Sequence, residues 1–283
     1  EPGNSVRAQS FASFPGGKGA NQAVAAARLG AEVRFCGCVG NDLNGHGLIQ
    51  EIKAENINCD DVIFLQNAPT ALASITVDAT GENSIVVNLG ANMHFDAEEA
   101  VKVVHQRMHH VVVLQGEIPL EVNRAVAEVS QGIVILNPAP PMSLPIAMYP
   151  NIDYLTPNAA EASAMTGLQV YDRKSAMEAA NVLVERGCHN VIVTIGKQGA
   201  VYSNATEQGY VAAPKVSAVD TVGAGDCFNG SLAFAVAHNA SLENATKFAV
   251  ECASISVRQH GAQGGMPYWY ELDDKIKGYL VSQ

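Results

Sequence analysis

Short runs of β-branched and aliphatic residues alternate with helical patterns along most of the chain, and this alternation restricts the fold more than any other feature. The runs fall at residues 33–39, 62–65, 111–114, 133–136, 152–155 and 191–195, lengths suited to strands. Residues 20–29, 43–55, 97–108, 120–130, 174–186, 227–238 and 242–257 instead carry apolar side chains three and four positions apart, the spacing of one helix face. Strands that are apolar on both faces need cover on both, which is the arrangement of a parallel sheet between helices. The sequence therefore predicts a doubly wound, mostly parallel α/β fold. The 283 residues would allow two domains at ~150 residues each. No repeat, low-complexity tract or Pro/Ser-rich linker divides them, so residues 1–283 read as a single domain.

Two regions break the alternation, residues 5–14 and 71–89. In the second, residues 71–78 and 84–89 flank Ala79-Thr-Gly-Glu-Asn83 as a hairpin with no helix after it. Strands outside the main sheet predict a small β-sheet lid, which in an open α/β protein covers the carboxyl ends of the strands where ligands bind.

Composition excludes several classes of partner. Lys plus Arg number 17 against 28 Asp plus Glu, a formal charge of −11, which offers no electrostatic footprint for a nucleic-acid backbone or an anionic membrane. The apolar runs are far shorter than the ~18–20 residues a membrane span needs. Six cysteines, several inside apolar runs, read as reduced thiols of a cytoplasmic protein. Cys36 and Cys38 share a strand face but lack zinc-knuckle spacing. His105, His109 and His110 end a polar helix face with no third ligand at suitable spacing, and read as surface histidines.

The strongest chemical signal is Asp220-Thr-Val-Gly-Ala-Gly-Asp226, directly before a helix. Amides of Gly223, Ala224, Gly225 and Asp226 at a helix N-terminus can converge on one anion. Asp226 in the same turn would stand beside that anion, placed to accept a hydroxyl proton. An anion hole beside a base describes phosphoryl transfer to an alcohol. A plain helix N-terminus with an Asp in its favoured place is the alternative reading.

A second signal, Gly16-Gly-Lys-Gly-Ala-Asn21, leads into a helix of small residues. Its glycines allow close backbone approach, and Lys18 and Asn21 offer donors to hydroxyl groups. It is not a Walker A loop: neither Gly17-Lys18-Gly19 nor Gly196-Lys197-Gln198 carries the Ser or Thr that would follow the Lys. Asn158 and Glu161, just after a strand, are either an N-cap with its capping-box Glu or a pair that holds hydrated magnesium and its phosphates. Thr194, Gly196 and Gly199 form a strand-to-loop turn that could approach a nucleotide. Glu117, also after a strand, could accept hydrogen bonds from sugar hydroxyls or lie solvated in its loop.

In order and spacing, Gly16-Gly-Lys-Gly-Ala-Asn21, Asn158-x-x-Glu161 and Asp220-Thr-Val-Gly-Ala-Gly-Asp226 resemble the ribokinase family of carbohydrate kinases over essentially the whole chain, from Pro2-Gly3 through Asn137-Pro-Ala-Pro140 to Gly261-Ala-Gln263. The resemblance implies ATP-dependent phosphorylation of a sugar hydroxyl, the 5-position for ribose, under a β lid that also serves as a homodimer interface. It implies Asp226 as the base and Gly223, Ala224 and Gly225 as the anion hole. Sugar contacts would come from Gly17, Lys18, Gly19, Ala20, Asn21 and Glu117. The ATP positions would be Asn158, Thr194, Gly196, Gly199, Gly225 and Val250, with Glu161 in the Mg²⁺-phosphate network. A K⁺ ion would sit among Asp220, Val222, Ser256, Gln259, Gly261 and Gly265, largely on carbonyls. Other acceptors remain open, namely deoxyribose, fructose or a nucleoside such as adenosine, as does a sugar-binding module without catalysis. The family normally starts with a strand carrying a sugar-gripping Asp. This chain enters at the following Pro-Gly, so the expectation is that this strand is missing.

Overall fold

The computed structural model of the chain describes residues 7–78 and 83–280. Its elements run α1 (Lys18–Arg28), β1 (Arg34–Gly40), α2 (Leu43–Ala54), β2 (Asn58–Leu65), β3 (Leu72–Val77), β4 (Asn83–Asn88), α3 (Ala97–Gln106), β5 (Val111–Gln115), α4 (Leu120–Val129), β6 (Ile133–Asn137), β7 (Tyr154–Leu155), α5 (Ala159–Thr166), α6 (Arg173–Glu185), β8 (Asn190–Thr194), β9 (Gly199–Asn204), β10 (Gln208–Ala212), α7 (Ala224–Ala237), α8 (Leu242–Ser256) and α9 (Asp274–Gly278). The main sheet has the order β10-β9-β8-β7-β6-β5. Strands β5 to β8 are parallel, and β9 and β10 extend the sheet antiparallel. A parallel pair, β1 with β2, and an antiparallel pair, β3 with β4, form separate small sheets.

The period of two along each strand divides the core. Ile135 and Ile192 point to one face, where they pack with Val24 of α1, Leu232 of α7 and Phe248 of α8. Their neighbours Val134, Leu136, Val191 and Val193 point to the other, against Val126 of α4 and Leu183 of α6. Both faces are thus covered, as the uninterrupted apolar runs require. Each fully buried aliphatic side chain of this kind contributes about 1.5–3 kcal/mol of transfer free energy. Among the described residues no helix is long and apolar enough to cross a membrane.

The hairpin expected over residues 71–89 is present as β3 and β4, paired from Leu72↔Asn88 to Val77↔Asn83; its connection at residues 79–82 lies outside the described residues. Its root is tied to the core. Asp42, the N-cap of α2, accepts from the Gly45 amide at 2.8 Å, the Thr70 amide at 2.8 Å and the Thr70 hydroxyl at 2.6 Å. These bonds, led by the Thr70 hydroxyl, lower the Asp42 carboxyl to about 2, so it remains an ionised anchor at every physiological pH.

Residues 7–14 correct the expectation of a second lid segment at 5–14: they are irregular and exposed, with no strand pairing, and residues 5 and 6 lie outside the described residues. Phe11 and Phe14 there have no ladder to join, and apolar side chains alone do not satisfy backbone groups.

Candidate active site

Helix α7 enters the core at its N-terminus, with residues 226 to 236 all buried. Gly223, its N-cap, has φ 79°, a left-handed conformation that costs an L-residue about 1–2 kcal/mol. A side chain there would also collide with the backbone of Ala262. The Ala224 amide donates to the Thr221 carbonyl at 3.3 Å, so it closes the turn instead of facing the cleft with its neighbours. Gly225 and Asp226, in the first helical turn, have no carbonyl of their own helix to bond. They leave free donors and the positive end of the helix dipole at the cleft.

Asp226 is 7% exposed. The Asn21 side-chain amide donates to its Oδ2 at 2.8 Å and the Gln22 amide to its Oδ1 at 3.1 Å, so α1 presents two donors to a carboxylate on α7. Burial pushes this carboxyl above the usual aspartate range, opposed by the Lys18 charge and by the two donated hydrogen bonds. The result is a desolvated carboxylate held in place, the state of a general base.

Helix α1 begins after Gly17 (φ 90°), and the Lys18 amide donates to Glu117 Oε2 at 2.8 Å. Glu117 thereby occupies the N-terminus of α1. Its carboxyl is raised, first by burial, and lowered again by the Lys18 amide and charge. Gly19 lets the helix approach the Gln115 side chain, and Ala20 is buried beneath the loop. Of the sugar-side residues, Asn21 bonds Asp226 directly, and the Lys18 and Glu117 charges lie close enough to act on the same carboxyl.

Lys18, Glu161, Thr194, Gly223, Gly225 and Asp226 line a cleft of about 190 Å³ together with Asn137 and Asn158. The open alternative at Asn158 and Glu161 resolves into a complete capping box: the Glu161 amide donates to Asn158 Oδ1 at 2.9 Å, and both Glu161 oxygens accept from Asn158 at 2.8 Å. The box still faces the cleft. Glu161 is raised above the ordinary range, chiefly by burial. With both oxygens engaged it suits an outer contact to hydrated Mg²⁺ better than a direct one. Among the described residues no group of three or more His, Cys, Asp or Glu could hold a metal ion.

The other positions expected around a nucleotide are not among the residues that line this cleft. Gly196 (φ 57°) stands in open space at the end of β8. Gly199 (φ 108°) is required by its contact with the Val211 carbonyl, a packing role. Val250 is buried in the α8 core. Of the six residues expected around a cation, three are joined directly: Asp220 accepts from the Val222 amide at 3.0 Å and the Gly261 amide at 2.9 Å. Those bonds hold its carboxyl below the ordinary range. Gly265 touches the Ser256 carbonyl, and Gln259 lies in the loop between them. This double loop lies behind the α7 N-terminus through the Gly223–Ala262 contact.

Sequence reasoning misses Gln22, Asn137, Thr156, Asn229 and Gln263, which surround the Asp226 end of the cleft. Asn229 accepts from Thr156 at 2.6 Å and donates to the Gly225 carbonyl at 2.8 Å, fixing the first turn of α7. Gln263 donates to Asn21 at 3.0 Å. A signal for one of them, Asn137, exists: β5, β6 and β8 each end in a polar residue after an apolar run, namely Gln115, Asn137 and Thr194. Polar residues at the carboxyl ends of parallel strands mark a ligand crevice.

A buried carboxylate beside unpaired helix-terminal amides, at the carboxyl ends of a parallel sheet, is the apparatus of a small-molecule kinase. A model of the pfkB family carbohydrate kinases matches residues 1–269. The ribokinase of Haemophilus influenzae is 36% identical over 272 residues, 94% of this chain and 89% of that protein. The crystal structure of Thermotoga maritima ribokinase matches with a TM-score of 0.88 at 35% identity, covering 99% of this chain and 92% of that one. Arabidopsis thaliana ribokinase, solved with ribose and ATP, gives 0.90 at 28% identity, covering 100% and 93%. The chain belongs to the pfkB family of carbohydrate kinases and has the ribokinase-like fold. It is an ATP-dependent phosphotransferase.

Proposed function

We propose that this kinase transfers the γ-phosphate of ATP to the 5-hydroxyl of D-ribose, with residues 1–283 acting as one catalytic domain. The observation that carries the reading is the Asp226 carboxylate, desolvated and aimed by Asn21 beside the α7 amides. Lys18, Asn21 and Glu117, with the Gly17–Ala20 turn, would orient the sugar. Asp226 takes the hydroxyl proton as the oxygen attacks phosphorus in line, and the amides of Gly223, Gly225 and Asp226 stabilise the charge that develops on the phosphoryl oxygens. Asn158, Thr194 and Gly225 would contact the nucleotide, since all three line the cleft.

The cleft sets Glu161 and Asp226 against one cation, Lys18. Polyphosphate therefore needs positive charge brought with it. Mg²⁺ bound to ATP would supply it, with Glu161 contacting its water shell. A K⁺ ion among Asp220, Val222, Ser256, Gln259, Gly261 and Gly265 would add positive charge behind the anion hole. Six unpaired cysteines, five of them buried, support a cytoplasmic setting.

The test is ADP release with MgATP and a panel of ribose, 2-deoxyribose, fructose and adenosine, in potassium and in tetramethylammonium buffers. Ribose in potassium should give the highest kcat/KM. Its acid limb should lie above the ordinary aspartate value of about 3.9, because Asp226 accepts a proton only when ionised and burial raises its carboxyl. Preference for another acceptor would overturn the ribose assignment.

The lid supports a homodimer. Ile75, Val77 and Val87 lie on one face of the β3–β4 hairpin and are 52%, 62% and 56% exposed, an apolar patch that a second copy would cover. Sedimentation should give twice the chain mass, and Val87→Asp should give the monomer; a monomeric parent protein would exclude this interface.

A further inference from the structure

Gln22 is among the largest fully buried side chains, yet it is polar and sits one residue beyond the sugar-side motif. A buried primary amide persists only where its donors and acceptor are matched. The Gln22 Nε2 donates to Asp226 Oδ1 at 3.1 Å and to Asn137 Oδ1 at 3.2 Å, and its Oε1 accepts from Gln115 Nε2 at 2.8 Å. Gln115 Nε2 also donates to the main-chain carbonyl of Val113 at 3.1 Å. That carbonyl can only accept, so it fixes which end of the Gln115 amide faces it. The orientation then passes along the chain: Gln115 must present its NH₂ to Gln22, and Gln22 must present its own NH₂ to Asp226. A flipped Gln22 would set carbonyl oxygen against carboxylate and NH₂ against NH₂.

We propose that Gln22 is a positioning residue for phosphoryl transfer, aiming the Asp226 carboxylate at the acceptor hydroxyl, and that Gln115 locks the Gln22 amide from the end of β5. The inference rests on Asp226 being the base, as proposed above. Asn21 holds Oδ2 from α1, which leaves Oδ1 to Gln22; together they fix the carboxylate plane. Without the Gln22 bond the carboxylate can turn about its Cβ–Cγ axis, and a small misplacement of a reacting group costs rate more than binding.

The test is the kinetics of Gln22→Leu, Gln115→Met, Asp226→Asn and the double variant Asp226→Asn/Gln22→Leu, with ribose and MgATP. Gln22→Leu should lower kcat by about tenfold to a hundredfold, with both KM values within threefold. Gln115→Met should act in the same direction by less. Added to Asp226→Asn, Gln22→Leu should change kcat no further, since the group it aims is gone. A readout that needs no turnover is the carbon-13 NMR titration of the Asp226 carboxyl. Its midpoint should rise in Gln22→Leu, while Lys18 on α1, Glu117 after β5 and Glu161 on α5, which face the same carboxyl, are unchanged.

A kcat within twofold of the parent, losses that multiply in the double variant, or an unmoved midpoint would each show Gln22 to be packing alone. If Gln22→Leu does not fold, Gln115→Met carries the same three readings. Turnover of ribose by the unmutated protein tests the functional reading separately.

Discussion

Asp226→Asn should reduce kcat by about 10²- to 10⁴-fold, the range a positioned general base supplies, while ATP binding changes little. Asn retains the size of the carboxylate and an oxygen to accept from Asn21 or Gln22, whose bonds measure 2.8 and 3.1 Å. It cannot take a proton. The same substitution sets one NH₂ against another but removes a carboxylate whose burial disfavours ionisation, so any fall in the thermal unfolding midpoint should be too small to explain the lost turnover. Rapid-mixing measurement of ADP formation beside calorimetric titration with ATP separates the two. Normal turnover in Asp226→Asn would remove Asp226 from the chemistry.

Gly223→Ala should be the second large effect, and through a different physical cause. At φ 79° alanine pays about 1–2 kcal/mol. Its Cβ would also press on the Ala262 backbone, so the α7 N-terminus must shift. Amides that stabilise a developing charge lose their value when displaced by a fraction of an ångström, and kcat should fall by about 10²–10³-fold. Gly225→Ala is the informative contrast, because a Cβ there meets no protein atom within 4 Å and Gly225 lines the cleft. That variant should keep the melting temperature of the parent and raise the KM for ATP. Equal behaviour of the two variants would argue that the turn does not form the phosphoryl site.

Strands β5, β6 and β8 and most of the helices are legible in the sequence because burial on both sheet faces demands unbroken apolar runs. β9 and β10 are not legible: Gly199-Ala-Val-Tyr-Ser-Asn204 and Gln208-Gly-Tyr-Val-Ala212 are short and mixed, and their pairing comes from β8 beside them. The run at 152–155 yields only two paired residues, since the Ile152 amide is still bonded to the Tyr149 carbonyl of the preceding turn. The glycine-rich motif before α7 is legible because backbone approach forces glycine. What it does not reveal is that Ala224 spends its amide on Thr221, a detail of one turn. Gln22 is invisible for another reason. Its role depends on contacts across 93 to 204 positions of sequence, and no local pattern encodes them.

The direct test of the central claim is to incubate the purified protein with MgATP and carbon-13-labelled ribose and follow ADP and the sugar carbons by NMR. The account predicts one phosphate on the 5-carbon for each ADP released, at a rate that collapses in Asp226→Asn. Ribose that binds without ADP release, or ADP formed with all sugar carbons unshifted, would contradict it.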